Sequence, residues 1–372
     1  MPLNKALACN GVLMKHRVSG FDLARALAIF GMVIVNFKLA MNANTGNQLL
    51  MSFAHLFEGR ASALFVILAG IGITFMTNKV RVSSDSISIS KGRLSLIKRG
   101  LLLVFIGLLY TPIWEADILH FYGFYFLIAS VVFMFNDRTL LLVSTMIMLA
   151  FPSLMLFFNY EQNWNWVSLT YENFWSLDGM FRHIVFNGFH PVFPWAAFLI
   201  FGMWLGRQDL SQKATRKRLL LSSVITLIVI ESLFYIIRLT IGDGTALEMT
   251  NGEVKFLFST SIIPPLPQYI ISAGSSAVIV LIGCLYFSDK FPESNIHKWL
   301  CQTGKLSLTL YVAHVILGMG ILESMGLLVN QTINFSLFSA LIFCICGIIF
   351  SVIWFKYFKT GPLEWLFRKV AS

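Results

Sequence analysis

Long apolar segments alternate with short polar ones along almost the whole chain. A bilayer core about 30 Å thick needs roughly twenty apolar residues per helix, and about ten segments approach that length. They are roughly 21–41, 60–78, 97–114, 117–135, 139–158, 189–206, 218–239, 267–287, 305–325 and 334–356. This pattern predicts an all-α, polytopic membrane protein in which the third and fourth helices form a hairpin at Glu115.

The basic residues indicate how these helices are oriented. If the N-terminus lies in the cytoplasm, nearly all of the 28 Lys and Arg fall in cytoplasmic segments. The exceptions are Lys38, Arg60, Arg182, Arg238 and Lys255. Because basic residues accumulate on the cytoplasmic side, we expect both termini there. The predicted organisation is a cytoplasmic segment at 1–20, one transmembrane domain at 21–356 and a cytoplasmic tail at 357–372.

Composition excludes the main alternatives to a membrane protein. The 372 residues are 57% hydrophobic and only 12% charged, which is too little charge for a soluble protein of this length. A net charge of +10 can indicate nucleic-acid binding, but here the basic residues lie in short loops between apolar segments. The expected partner is therefore the lipid bilayer and not a nucleic acid. Nothing in the sequence indicates an oligomeric state.

Polar side chains at membrane depth are costly and usually mark a pathway or a site. Arg25 and Asn36 are separated by ten residues, so they lie on one stripe of the first helix, roughly 16 Å apart along its axis. Asp117 and His120 are neighbours on one face of the fourth segment. A carboxylate beside an imidazole can orient the ring and raise its basicity.

Five further candidates lie before or within later segments, and most candidates also have a structural interpretation. The five are His55, Arg60, His190, Tyr311 and His314. Asn36 and His314 can serve as hydrogen-bonding groups between packed helices. Arg25 can anchor the cytoplasmic interface beside Asp22, and His190 can be an interfacial residue. The other histidines, His16, His183 and His297, carry no functional signal.

Motifs of soluble enzymes do not occur. The chain has no phosphate-binding loop, no HExxH zinc pattern and no GxSxG elbow. We therefore expect no metal.

Several stretches taken together resemble the YeiB-like bacterial membrane proteins, a family of unknown function. The stretches are RVSGFDLARALAIFGMVIVNF (17–37), FEGRASALFVILAGIGI (57–73), DILHFYGFYFLI (117–128), FHPVFPWAAFLIFGMWLGR (189–207), GKLSLTLYVAHV (304–315) and GPLEWLFR (361–368). They cover nearly the whole chain. That family is similar to a wider superfamily of transmembrane acyltransferases, which includes heparan-α-glucosaminide N-acetyltransferase and bacterial enzymes that O-acylate surface sugars.

This resemblance implies roles for some of the candidates. Asn36, Tyr311 and His314 match positions of the heparan-type enzymes. In the sugar O-acylating enzymes, a His stands where this chain has Asn36. An amide cannot act as a general base, so the resemblance leaves His55 or His120 for that role, or no acyl transfer at all.

The resemblance favours an acyltransferase of the bacterial inner membrane. It would take an acyl group from a cytoplasmic donor such as acyl-CoA, whose phosphates Arg25, Lys98 and Arg99 would attract. The acceptor would be a hydroxyl or amine of an envelope glycan or lipid. Asp117, His120, His55, His314 and Asn36 are the expected catalytic residues; Arg25, Arg60, His190 and Tyr311 are the expected substrate-binding residues. A transporter of a small polar or anionic solute and a non-catalytic membrane protein are the alternatives.

Overall fold

A computed structural model describes residues 18–83, 85–166, 168–242 and 250–371. Residues 1–17 of the predicted N-terminal segment, with His16, lie outside these ranges. The helices are α1 (Ser19–Ala40), α2 (Gln48–His55), α3 (Arg60–Ser83), α4 (Ser86–Tyr110), α5 (Leu119–Val132), α6 (Asp137–Met155), α7 (Leu177–Arg182), α8 (Val192–Leu205), α9 (Lys213–Gly242), α10 (Asn251–Phe258), α11 (Pro267–Lys290), α12 (Asn295–Lys305), α13 (Ser307–Ala313), α14 (Gly320–Ser324), α15 (Ile333–Tyr357) and α16 (Pro362–Ala371).

Among the described residues, two helices continue as π-helical turns, and each turn begins at a histidine. His183–Asn187 and His314–Met319 are π-helical turns that continue α7 and α13. Such turns are rare and often occur at functional sites. The long segment between α6 and α7 contains a two-stranded antiparallel hairpin, in which β1 (Trp164–Asn165) pairs with β2 (Thr170–Tyr171). The predicted all-α class is thus confirmed apart from this short hairpin.

Seven segments of the described chain are long and apolar enough to cross a membrane. A bent pair, Leu177–Asn187 followed by Val192–Leu205 at 49°, makes an eighth if it is one span. Of the ten predicted segments, 97–114 falls on α4, whose first half carries several basic residues, and 117–135 falls on α5, which has only 14 residues. Apolar residues face outward on the peripheral helix α9, where Ile225, Ile228 and Val229 are exposed. The protein is a multi-pass membrane protein.

Helix α1 lies at the centre of the bundle and packs against α3, α11, α12 and α15. Most of its residues are buried, and they include the predicted interface residue Asp22. Close approach to α12 depends on Gly304, where a Cβ would overlap the backbone carbonyl of Asp22. The helix that carries Arg25 and Asn36 is therefore held on several sides.

Helices α4 and α5 form the predicted antiparallel hairpin. Gly107 on α4 lies directly against the backbone of His120 on α5, and a Cβ at Gly107 would overlap the His120 backbone nitrogen. Because no side chain intervenes, the start of α5 is fixed against the end of α4. This contact positions the carboxylate and imidazole predicted as a pair.

Candidate functional site

The predicted pair of Asp117 and His120 forms a buried hydrogen-bonded cluster with Tyr311. His120 Nδ1 lies 3.1 Å from Asp117 Oδ2, and the Tyr311 hydroxyl donates to Asp117 Oδ1 at 3.3 Å. The same hydroxyl accepts from the backbone N–H of Ile118 at 3.1 Å. Asp117 and His120 are fully buried, and Tyr311 is nearly so. The cluster joins the start of α5 to α13.

Contact with Asp117 determines which nitrogen of the His120 ring is free. A carboxylate accepts hydrogen bonds, so Nδ1 of His120 is protonated and donates the hydrogen bond to Asp117. Nε2 then bears the lone pair, and it has no hydrogen-bond partner within the described residues. An imidazole that is oriented by a carboxylate and has its second nitrogen free is the arrangement expected of a general base.

Asn36 and His314 are also brought together, as a second pair beside this cluster. The Asn36 amide Nδ2 donates to His314 Nε2 at 2.8 Å, and His314 Nδ1 donates to the backbone carbonyl of Tyr311. The two contacts fix the tautomer of His314, with its proton on Nδ1. Asn36, His314, Tyr311, Asp117 and His120 thus form one connected chain of contacts.

A basic pocket opens at the end of the bundle where α1, α13 and α16 begin. It has a volume of about 330 Å³. Its charged lining residues are Arg25, Arg99, Lys305, Lys359, Arg368 and Glu364. Its other lining residues are mostly apolar, and they include Phe65, Leu103, Leu119, Tyr122 and Phe126. A pocket with cations at its mouth and an apolar interior suits an anion that carries an apolar chain.

The positive charge of this pocket is not balanced by its acidic residue. Glu364 accepts hydrogen bonds from the backbone of Leu308 and Thr309 and from the Thr309 hydroxyl, at 2.9, 3.1 and 2.6 Å. Arg99 and Arg368 are close enough for their charges to act on each other. The buried Nε of Arg99 has no hydrogen-bond partner in the described part of the chain. Two guanidinium groups that line one pocket favour binding of an anion there.

An aromatic pocket of about 380 Å³ lies at the other end of α4. Its lining residues are Thr111, Pro112, Glu115, Tyr171, Asn173, Phe174, Trp175, Ser176 and His183. Trp175 is 62% exposed, so its ring is available to a ligand. Partial burial raises the pKa of the Glu115 carboxyl, whereas the hydrogen bond from the Tyr171 backbone N–H opposes that shift. The pKa of Tyr171 is also raised by burial.

Asn187 holds the wall of the aromatic pocket together. Its side chain accepts from the Tyr171 hydroxyl at 2.9 Å and donates to the carbonyls of Tyr160 and Gln162, both at 2.9 Å. Its own carbonyl accepts from Trp164 Nε1 at 2.6 Å. The long segment after α6 is therefore a hydrogen-bonded structure around one buried amide.

We expect Asn187→Ala to unfold the pocket wall locally. Three side-chain hydrogen bonds are lost, and burying unsatisfied partners costs about 1–3 kcal/mol each. Limited proteolysis of residues 159–188 should become faster, and the midpoint of thermal unfolding should fall. Asn159→Ala is the matched control, because the Asn159 side chain makes one exposed hydrogen bond, to the backbone N–H of Glu161. Equal proteolysis of the two variants would contradict this role of Asn187.

His120 adjoins residues that line each of the two pockets. The preceding residue, Leu119, lines the basic pocket. Thr111, which lines the aromatic pocket, has its hydroxyl 3.5 Å from His120 Nδ1. Among the described residues the two pockets share no lining residue. The imidazole therefore has direct neighbours in the linings of both pockets.

The remaining candidates from the sequence lie apart from this cluster. His55 is exposed and contacts Glu58 at 2.9 Å, and Glu58 also binds Lys38 at 2.6 Å. Arg60 pairs with Glu231 on α9 at 2.7 Å. Arg25 binds Asp22 at 2.6 Å, as its structural interpretation predicts, and also lines the basic pocket.

His190 is held by buried aromatic residues but does not belong to the hydrogen-bonded cluster. Its backbone carbonyl accepts from the Tyr125 hydroxyl at 2.5 Å, and its ring packs edge-on against Trp195 with 4.5 Å between ring centroids. It is not among the lining residues of the basic or aromatic pocket. The described residues contain no group of three or more His, Cys, Asp or Glu that could hold a metal ion.

Two protein families match the chain. Residues 17–241 match the family described as heparan-alpha-glucosaminide N-acetyltransferase, catalytic. The chain belongs to this family. Residues 205–372 match a second family, described as a protein of unknown function, DUF418. These two matches confirm the resemblance to YeiB-like proteins and to membrane acyltransferases. The comparison with curated proteins found no match.

The cluster of contacts spans both matched regions. Asn36, Asp117 and His120 fall in the acetyltransferase match, whereas Tyr311 and His314 fall in the DUF418 match. The hydrogen bond from Tyr311 to Asp117 therefore crosses from one region to the other.

Sequence analysis missed several residues of the two pockets. His183, which carried no signal in the sequence, lines the aromatic pocket. Glu364 and Arg368 lie in the predicted tail, yet both line the basic pocket. The one signal available for His183 was that it is an ionisable residue in a segment rich in aromatic residues.

Proposed function

We propose that this protein transfers an acyl group from a CoA thioester on the cytoplasmic side to a hydroxyl or amine on the other side of a bacterial inner membrane. The observation that carries the proposal is the position of His120. Its carboxylate-oriented imidazole follows Leu119, which lines the basic pocket, and lies beside Thr111, which lines the aromatic pocket. Membership in an acetyltransferase family supports the same chemistry.

The basic pocket is the proposed donor site. Its five cations, Arg25, Arg99, Lys305, Lys359 and Arg368, would bind the phosphates of CoA. The apolar interior would take the pantetheine arm and the acyl group. By the distribution of basic residues, this end of the bundle faces the cytoplasm, where acyl-CoA is present.

The aromatic pocket is the proposed acceptor site. Tyr171, Phe174 and Trp175 offer ring faces, while Glu115 and Asn173 offer polar groups that bind hydroxyls or amines. The family name refers to a glucosaminide, so an amino sugar is the first acceptor to test. An envelope glycan or lipid headgroup would reach this pocket from the non-cytoplasmic side.

In the proposed reaction, the acceptor oxygen or nitrogen attacks the thioester carbonyl while an imidazole takes the acceptor's proton. The carbon–sulfur bond then breaks, and CoA leaves as a thiolate that gains a proton. His120 is the proposed base because its Nε2 is free. Asp117, which also accepts from Tyr311, orients the His120 ring. Asn36 binds His314, which follows Tyr311 at the end of α13.

Transport is less well supported than transfer. The matched family is described as the catalytic domain of an acetyltransferase, and that description supports transfer.

The test is transfer of label from [¹⁴C]acetyl-CoA to glucosamine by the purified full-length protein in lipid nanodiscs. Nanodiscs leave both faces accessible, so donor and acceptor can each reach their own pocket. We expect acetylglucosamine and free CoA in equal amounts. Binding of acetyl-CoA should be measured separately by calorimetry. If neither glucosamine nor a mixture of envelope glycans and lipids accepts label although acetyl-CoA binds, the proposal is wrong.

We expect Asn36→Ala to lower turnover while leaving acetyl-CoA affinity unchanged. The substitution removes the donor to His314 Nε2, so a buried imidazole loses its partner and the end of α13 loses its fixed position. The loss should be about 10-fold, because Asn36 does not line either pocket. Asn44→Ala, on an exposed loop after α1, is the control. Equal turnover of the two variants would assign Asn36 to packing alone.

A further inference from the structure

In the proposed acyl transfer, the acceptor in one pocket loses a proton, and the CoA thiolate at the other pocket gains one. The acceptor loses its proton in the aromatic pocket, whereas the CoA thiolate forms next to the basic pocket. Overall, an acceptor R–OH and an acyl thioester give an ester and a thiol. A relay of protonatable groups between the two pockets would carry the proton lost by the acceptor to the thiolate.

A second imidazole lies between His120 and the acceptor pocket. The rings of His120 and His183 are stacked, with 5.8 Å between centroids and 24° between planes. His183 is 2% exposed overall, yet it lines the aromatic pocket. His120 is fully buried and does not line that pocket. An acceptor in the aromatic pocket would therefore meet His183 before His120.

Both rings have an unused nitrogen. Nε2 of His120 and Nδ1 of His183 are buried and have no hydrogen-bond partner in the described chain. Buried polar atoms in folded proteins are normally hydrogen-bonded, so two unpartnered atoms on neighbouring rings call for an explanation.

The backbone and the surrounding rings hold His183 in this place. It opens a π-helical turn, as His314 does on the opposite side of the cluster. Its ring packs against Tyr171 and Phe174, with 4.6 and 4.9 Å between centroids. These aromatic neighbours belong to the pocket wall that Asn187 stabilises. The ring is therefore fixed in orientation without a hydrogen bond at Nδ1.

We propose that His183 is a catalytic residue that takes the acceptor's proton and passes it through His120 towards the CoA thiolate. The inference rests on the proposed acyl transfer and refines it, because the acceptor's proton goes first to His183 and reaches His120 from there. The acceptor O–H or N–H bond breaks, its proton goes to His183, and the acceptor's electron pair forms the new bond to the acyl carbon. The electrons of the broken carbon–sulfur bond leave with the thiolate. The proton moves on from His183 to His120, whose positive charge Asp117 stabilises, and finally to the sulfur.

Chemical rescue tests this role directly. His183→Ala in nanodiscs should transfer label from [¹⁴C]acetyl-CoA to glucosamine at least 100-fold more slowly than the unsubstituted protein, with acetyl-CoA affinity unchanged. Added imidazole, which can enter the aromatic pocket, should restore part of the rate above the protein-free background. His120→Ala should show no rescue, because its site is closed to that pocket.

His183→Gln and His297→Ala complete the experiment. The glutamine variant fills the space without carrying a proton, so it should be as slow as His183→Ala and unfold at the normal temperature. His297 is another buried histidine, bonded to Ser288 at 3.0 Å at the far end of α11, and its loss should leave transfer unchanged.

Three results would overturn the role of His183 while leaving acyl transfer intact. They are normal transfer by His183→Gln, a loss that imidazole does not restore, and a loss accompanied by weaker acetyl-CoA binding. Absence of transfer by the unsubstituted protein would instead contradict the proposed function.

Discussion

His120→Ala should lower acetyl transfer by about 10²–10⁴-fold, the usual contribution of a positioned acid–base group. Its ring is the one group of the cluster that combines a carboxylate partner, a free nitrogen and direct neighbours in the linings of both pockets. Binding of acetyl-CoA should not change, because His120 does not line the basic pocket. Calorimetry with acetyl-CoA and single-turnover transfer to glucosamine measure the two effects separately.

Asp117→Asn is the informative companion to this variant. The amide keeps the size of the side chain and an oxygen that accepts from the backbone N–H groups of Leu119 and His120, but it removes the negative charge that stabilises a protonated His120 ring. Acetyl transfer should therefore fall even though the His120 ring remains in place. Transfer by His120→Ala at the unsubstituted rate would remove this imidazole from the mechanism, whatever the result for Asp117→Asn.

The double variant Arg99→Gln/Arg368→Gln should bind acetyl-CoA at least 100-fold more weakly. Hydrogen bonds to charged groups contribute about 1.5–3 kcal/mol each, and each step of 1.4 kcal/mol is a tenfold change in affinity. The two guanidinium groups are close to each other, and the pocket's carboxylate is occupied elsewhere. Replacing both should also make binding less sensitive to salt. Calorimetry at two salt concentrations measures both effects.

A matched control separates a specific donor site from general surface charge. Lys91→Gln/Lys369→Gln removes one positive charge from each of the same two helices, α4 and α16, at residues that do not line the basic pocket. It should bind acetyl-CoA normally. If both double variants weaken binding to the same extent, the basic pocket is not the donor site.

Local patterns predicted the parts of the site that lie within one helix. Asp117 and His120 are three residues apart, so helical geometry alone places them on one face, and the structure joins them at 3.1 Å. Tyr311 and His314 follow the same rule. Hydropathy also predicted most helices, but it counted α4 and α5 as complete spans, although one is rich in basic residues and the other is short.

Contacts between distant segments were beyond this kind of prediction. Nothing in the sequence around Arg60 shows that Glu231, 171 residues later, neutralises it. His55 likewise appeared to be a candidate base, but it forms an exposed ion pair with Glu58. His183 gains its position from the fold of a loop whose key residue, Asn187, bonds to three separate points of the chain. Such positions depend on tertiary packing, which cannot be predicted from the spacing of residues along the sequence.

The hydrogen bonds of Glu364 have a consequence for biosynthesis. The backbone that this carboxylate caps begins the helix of Tyr311, and the Leu308 amide lies 56 residues upstream of Glu364. While the ribosome is still making α15, that helix lacks its cap and the basic pocket lacks one wall. The nascent protein can therefore insert its first helices into the bilayer long before the wall of the basic pocket is complete.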